Sequence, residues 1–448
     1  MKLRTRRVLD RSFSGMGFFS IFLLSASLII ILGPIFVRGI GAFIFKGTVE
    51  FRRLNYEQLN RGDKETIDRE MEIVTPYREE AYRMLNGFID KVEAGEIPNG
   101  FEYMQDLREL KELLHELFGP LSGEDPVMMR DKYGRTRWDK AKETLHHILF
   151  IEKWDYSDTD AMGKKVLVPR IEEYKNTPLT EFFRYMEENI ENMMQPRLTF
   201  YWRFLTDASF DSHLFGGIGA EVLGTFYLIL GTMIFAIPMG VIAAIYLAEF
   251  SKETSKLVSL LRTFISTLAG VPSIVFGLFG LAFFINTMKV SNSKSVLAGS
   301  LTLALLVLPT IIRAAEEAIR AVPRTYKEAA LSLGASKLRS VLTVILPAAL
   351  PGILTGIVIS MGRAAGETAP IIFTAAVSVG RPLSFFQTLD QPTPALPWNI
   401  YNLVTEHEAV EQIRHVQFGM VFTLVLLVLL LNLSAIILRA KISKKLRG

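Results

Sequence analysis

Cysteine is absent from all 448 residues, so no disulfide and no thiolate metal site exists, and any folded part must be held by its own packed core. Nucleotide and hydrolase signatures are missing too: no GxxxxGK[ST], no GxSxG and no HExxH occurs, which leaves the chain without a phosphate-binding loop or a nucleophile elbow of its own. The most informative absence is local. Five runs contain no Asp, Glu, Lys or Arg, at 18–37, 222–247, 264–287, 296–312 and 416–438. At about 1.5 Å per helical residue, roughly 20 residues cross a hydrocarbon core of about 30 Å, so these runs are long enough, or nearly so, to span a bilayer. The apolar half of the composition is thus gathered in blocks, as a membrane protein requires.

A sixth apolar region, 341–380, is broken only by Arg363 and Glu367 within the stretch GRAAGETAP. Pro347 and Pro351 mark an expected entrance, and a helix over 352–377 would place both charges near mid-membrane. The first run is too long, and lacks a clean small-x-small end, for a removed signal peptide, so a retained helix is expected.

Lys2, Arg4, Arg6, Arg7 and Arg11 precede the first run, and Lys441, Lys444, Lys445 and Arg447 follow the last. The positive-inside rule therefore puts both termini in the cytoplasm of a cell (inner) membrane, which six crossings require. Residues 1–17 form a basic cytoplasmic N-terminus on this reading, 313–347 a cytoplasmic loop, and 46–215 and 378–415 lie outside. The segment 46–215 holds 25 basic against 34 acidic residues, a net −9, whereas the remainder nets +13. The overall +4 hides that division, and an external acidic segment does not attract anions in bulk.

At about 170 residues, that segment can bury most of its surface. Leu107, Leu110, Leu114 and Leu117 recur at helical spacing, as do Phe182, Met186, Ile190 and Met193 or Met194, so a mainly helical unit packed on these stripes is expected. His146 and His147 are sequence neighbours whose rings point to different faces of a helix, which favours solvated surface over a metal site. No metal site and no nucleic-acid partner is expected.

Between the fourth and fifth runs the chain reads RTYKEAALSLGASKLRSVLTVILPAALPG. Physically, 326–333 is a short helix with small Ala329 and Ala330 on its surface, Gly334 permits a tight turn, and a basic amphipathic helix leads to Leu346-Pro347. Glu328-Ala329-Ala330, then Gly334, then Val344 and Leu346-Pro347 at family spacing, resemble the EAA signature of type I ABC importer permeases, with Val where Ile is usual.

The resemblance implies an all-α membrane protein with six transmembrane helices. It also implies an ABC transmembrane type-1 domain over 216–440. The mainly helical extracytoplasmic insertion over 46–215, between helices 1 and 2, departs from the family pattern, which joins those two helices by a far shorter loop. Glu328, Ala329, Ala330 and Gly334 would then dock a separate ATPase subunit, with ATP and Mg held by such partners and no cofactor bound by this chain.

Arg363 and Glu367 stand four apart and can pair. A charge at the bilayer centre costs about 2.5–3.5 kcal/mol on insertion scales, so such residues face a cavity or each other. A structural salt bridge is one reading. The other is an oxyanion path in which Arg363 offers forked donors and Glu367 steadies it. Gly362 and Gly366 would let backbone or substrate approach. RAxGE in this position resembles permeases for tetrahedral oxyanions, and Thr368-Ala369-Pro370 resembles the phosphate-specific, PstA-type subunit.

Arg363, Glu367 and Thr368 are accordingly the expected substrate path. The chain catalyses no covalent step on this reading. Expected partners are a homologous permease forming a heterodimer, two ATP-binding subunits, an extracytoplasmic phosphate-binding protein and membrane lipid. Sulfate or molybdate transport, or an envelope sensor or scaffold built around the insertion, are the alternatives.

Overall fold

The computed structural model describes residues 3–98, 100–121, 126, 128–155, 163–252, 254–407 and 409–447. They divide into two compact units: Phe43–Tyr201, and Met1–Ala42 together with Trp202–Gly448. Residues 202–215, expected within the outer segment, cluster with the second of these units.

The chain starts with helix α1 (Leu3–Ile40) and passes through strand β1 (Ile44–Gly47) into α2 (Val49–Leu59), α3 (Lys64–Glu93), α4 (Met104–Phe118), α5 (Met129–Lys132) and α6 (Trp138–Leu149). The hairpin β2 (Phe150–Asp155) and β3 (Lys164–Pro169), helix α7 (Thr180–Met194) and strand β4 (Arg197–Phe200) complete the inserted unit. Asp63 opens α3 as its N-cap, accepting a hydrogen bond from the Thr66 amide at 3.2 Å.

Both amphipathic stripes point inward. Leu107, Leu110, Leu114 and Leu117 of α4 are buried against Tyr82, Leu85 and Phe88 of α3 and against Phe182, Met186, Ile190, Met193 and Met194 of α7. Each such side chain contributes about 1.5–3 kcal/mol by leaving water, which is how a unit without disulfides holds together.

Charged side chains are buried in this unit too, Arg78 and Glu50 among them. Arg78 pairs with the buried Glu50 at 2.5 Å and donates through Nε to the Met193 carbonyl at 2.9 Å and through Nη1 to that of Phe118 at 3.3 Å. It thereby ties α2, α3, α4 and α7 at one point. His146 and His147 are both exposed on α6, and the His146 ring stacks on Phe150.

The membrane unit resumes with the short pair β5 (Ser209–Phe210) and β6 (Phe215–Gly216), then α8 (Gly219–Ile245), α9 (Lys256–Leu268), α10 (Ser273–Gly280), α11 (Val296–Arg320), α12 (Arg324–Ser332), α13 (Lys337–Ser340), α14 (Leu346–Gly366), α15 (Ala369–Thr374), α16 (Leu396–Thr405) and α17 (Arg414–Arg447). Among the described residues five helices are long and apolar enough to cross a membrane, and a sixth crossing is added if one bent pair counts as a span. Ile229, Met233 and Ala236 of α8 pack with Leu306, Val307 and Ile311 of α11 and with Ile353, Ile357 and Ala364 of α14. Large apolar side chains of α1, Phe18, Phe19 and Phe22 among them, stay uncovered, as lipid-facing residues do.

Two expected spans differ from the structure. The run 264–287 is not one helix: α9 and the helix beginning at Ser273 meet at 102°. Gly270 and Pro272 lie at the break, where proline lacks the amide to continue a helix and biases the residue before it toward extended backbone. The span expected over 352–377 begins earlier and ends earlier, running without interruption from Lys337 to Gly366. Pro347 does not open it, because the wide π turn over Val341–Ile345 precedes the proline inside the helix, a place where the loss of one backbone donor is accommodated.

Candidate functional site

Helix α14 stops one residue before Glu367. Glu367 has extended backbone (φ −76, ψ 121) and caps the helix, Thr368 follows, and α15 then restarts with Pro370 in its first turn. Arg363 therefore lies in the last turn of α14 rather than at the middle of a longer helix.

The break is followed by a short helix that reaches the level at which α11 begins. Thr374, at the far end of α15, accepts a hydrogen bond from the amide of Ser295, the cap that starts the apolar helix α11. The six residues of α15 rise about 9 Å between that level and Thr368.

Arg363 and Glu367 do come together. Arg363 Nε donates to Glu367 Oε1 at 3.3 Å, and the arginine side chain keeps 38% of its surface uncovered. Among the described residues the two terminal guanidinium nitrogens donate to nothing, and the Thr368 hydroxyl is also unengaged.

A methyl group added at Gly366 would meet nothing within 4 Å, and one at Gly362 would reach only Val428 and Asn432 of α17, at 3.9 and 4.0 Å. These glycines thus border open space rather than a tight contact within the chain. Two further polar groups lie nearby along the chain or in space: among the described residues, the amide oxygen of Asn432, beside Gly362, and the hydroxyl of Ser360 on α14 are buried without a hydrogen-bond partner. Sequence reading passed over both, since single uncharged polar residues in apolar runs carry little signal.

The second set of expected site residues sits apart from this one. Helix α12 carries Glu328, Ala329 and Ala330 and buries no residue within the chain. Gly334 ends it with φ +81, the left-handed conformation that glycine adopts without steric cost. Leu333 is 90% exposed beside that turn, with Tyr326 and Leu338 also uncovered. Glu328 borders a cavity of about 500 Å³ with Glu249, Arg320, Arg324, Lys327 and Leu331, and Lys327 pairs with Glu249 across it. A helix with small residues, an exposed leucine and no buried residue of its own is shaped to meet another protein.

A third cluster has no precursor in the sequence reading. Glu221, in the first turn of α8, is buried, and its Oε1 meets His213 Nε2 at 2.8 Å and the Asn399 amide at 2.9 Å. Asn399 also donates to the Ser378 carbonyl at 3.0 Å, and the Thr225 hydroxyl accepts from the Leu396 amide at 2.8 Å. These bonds fasten the start of α8 to α16 and to the strand-like segment that follows α15. His213 ends three successive left-handed residues, Asp211, Ser212 and His213, with φ of 45, 51 and 73. Such backbone costs about 1–3 kcal/mol per residue and persists only where surroundings enforce it. Glu221 escaped notice because it sits one residue before a charge-free run and its partner Asn399 is 178 residues away.

Among the described residues no group of three His, Asp or Glu side chains is arranged to hold a metal ion.

Comparison with known proteins adds three kinds of likeness. Residues 236–448 match the family model described as binding-protein-dependent transport system inner membrane component. A probable ABC transporter permease protein of Bacillus subtilis, YqgI, is 34% identical over 258 residues, covering 55% of this chain and 85% of that protein. The phosphate transport system permease protein PstA of Yersinia pestis is 36% identical over 229 residues (50% of this chain, 73% of that one), and PstA 1 of Mycobacterium tuberculosis H37Rv is 32% identical over 247 (53% and 77%). An inward-facing structure of the MetNI methionine ABC transporter aligns with half of the chain at 17% identity and a TM-score of 0.39. The whole of the inserted unit lies outside the residues matched by the family model.

Proposed function

We propose, from the premise that this chain belongs to the binding-protein-dependent ABC transporter permeases of the PstA type, that it is a membrane subunit of an ATP-driven importer of inorganic phosphate. The protein is a multi-pass membrane protein with several apolar helices. Relatives named as phosphate transport permeases support phosphate as the cargo.

The observation that carries the reading is Arg363. Among the described residues its charge is held by one carboxylate contact and its terminal nitrogens are free, and more than a third of its surface is open. A salt bridge serving only as glue is satisfied by its own helices, whereas this one leaves the forked donors that a tetrahedral oxyanion accepts. Glu367 neutralises the guanidinium when the path is empty.

In the proposed assembly a homologous permease completes the path, two ATP-binding subunits dock on the α12 turn, and a phosphate-binding protein delivers substrate from outside. Both termini lie in the cytoplasm. ATP binding and hydrolysis in the partners, with their Mg, rock the helices between inward-open and outward-open states. This chain moves no covalent bond itself.

The inserted unit favours a second reading, an envelope sensor or scaffold, because Phe43–Tyr201 has a core of its own. Replacing residues 50–195 by a short Gly-Ser linker leaves β1 and β4 in place and separates the two. Phosphate uptake by the shortened chain is expected to persist. Absence of ATP-dependent uptake in the full-length assembly would instead remove the transporter reading.

A further inference from the structure

β1 and β4 form a two-stranded antiparallel ribbon with Ile44 opposite Phe200, Phe45 opposite Thr199, Lys46 opposite Leu198 and Gly47 opposite Arg197. Residues directly opposite one another share a face, and successive residues alternate. The two faces of this ribbon differ sharply. On one, Phe45 is buried against Phe51, ring centroids 5.0 Å apart, with the Arg137 guanidinium 4.1 Å above its ring. On the other, Ile44, Leu198 and Phe200 are 45, 77 and 67% exposed beside the exposed Lys46. In water, three large apolar side chains on so short a ribbon form a costly surface.

Chain connectivity limits how far they stand from the end of α1. Ile44 follows the last residue of α1, Ile40, by four residues, so the two are separated by at most about 14 Å. The end of α1 is itself located by α17: a methyl on Gly39 would stand 2.5 Å from Phe422 Cβ and 3.0 Å from the Phe418 carbonyl. Arg38 lies over the Phe418 ring at 5.1 Å. The charge-free run of α17 begins at Val416, so Ile40 is level with the edge of the apolar layer. Aromatic side chains and lysines gather at that level because each has an apolar body and a polar or charged tip.

We propose that the β1–β4 ribbon is a membrane-interface anchor. Ile44, Leu198 and Phe200 enter the acyl boundary of the bilayer and Lys46 reaches the lipid phosphates. The anchor rests on the membrane location of α1 and α17 and is independent of the cargo. It would tie both chain connections of the inserted unit to the lipid surface.

The absence of native cysteine makes the test direct. Single Leu198→Cys, Phe200→Cys and Phe101→Cys variants of the full chain, spin-labelled in phospholipid nanodiscs, are compared for collision with oxygen and with a water-soluble nickel chelate. Phe101 is 86% exposed on the same unit and serves as the aqueous control. Oxygen is expected to exceed nickel at 198 and 200, and the order to reverse at 101. Nickel exceeding oxygen at 198 and 200 would place the ribbon in water, and exclusion of both reagents there would mean that protein, not lipid, covers it. Either result overturns the anchor. Should the label at 200 unfold the chain, Ile44→Cys on the same face reports the same comparison.

Discussion

Arg363→Ala is expected to reduce phosphate uptake by at least about 100-fold while the assembly still co-purifies with its ATPase subunits. A hydrogen bond to a charged group contributes about 1.5–3 kcal/mol, so losing two forked donors to an oxyanion costs about 3–6 kcal/mol, or roughly two to four orders of magnitude. Alanine also leaves Glu367 as an uncompensated negative charge beside the path, which repels the anion. Folding is spared because more than a third of the arginine is uncovered and, among the described residues, its one ion pair is at 3.3 Å. Arg363→Lys keeps the charge but not the fork, and is expected to fall between the two.

The paired replacement Arg363→Met with Glu367→Gln separates transport from glue. A structural pair exchanged for apolar and neutral groups of similar size commonly loses little stability. A double variant that assembles and still transports would show that the two charges are mere packing.

The second large effect concerns the α12 turn. Gly334→Val is expected to abolish stable co-purification of the ATPase subunits. A methyl at position 334 meets nothing within 4 Å, so space is available, and the obstacle is the backbone at φ +81. A β-branched residue held there costs about 1–3 kcal/mol, and the turn relaxes to another shape, displacing exposed Leu333. Glu328→Ala is expected to weaken the same docking less, since among the described residues its carboxylate has no partner within the chain and is free to meet one on another subunit. Co-purification with ATPase activity as a second readout checks both variants. Undiminished co-purification of Gly334→Val would remove this turn from the docking surface.

Much of the inserted unit was legible because its information is periodic and local. Leucines at 107, 110, 114 and 117 can face one core only as a helix, and they do. Gly334 is another local signal, since a left-handed turn after a short helix asks for glycine. What escaped was geometry within long apolar runs. A charge-free run reports length but not direction, so α9 and the helix from Ser273 read as one span although Gly270 and Pro272 stood between them. Likewise Pro347 and Pro351 looked like an entrance, yet a π turn lets the helix pass through them, and the stop comes at Gly366.

The Glu221 cluster illustrates the other limit. Its members become neighbours only after α8, α16 and the 211–213 turn have packed, and no spacing rule along the chain brings positions 213, 221 and 399 together.

The cargo is the most direct test of the transport function. In sealed vesicles carrying the full assembly, uptake of labelled phosphate is measured with ATP present and absent, and with sulfate or molybdate in excess. The account predicts ATP-dependent phosphate uptake that neither competitor suppresses. Phosphate uptake that is absent, or sulfate or molybdate carried in its place, would contradict it.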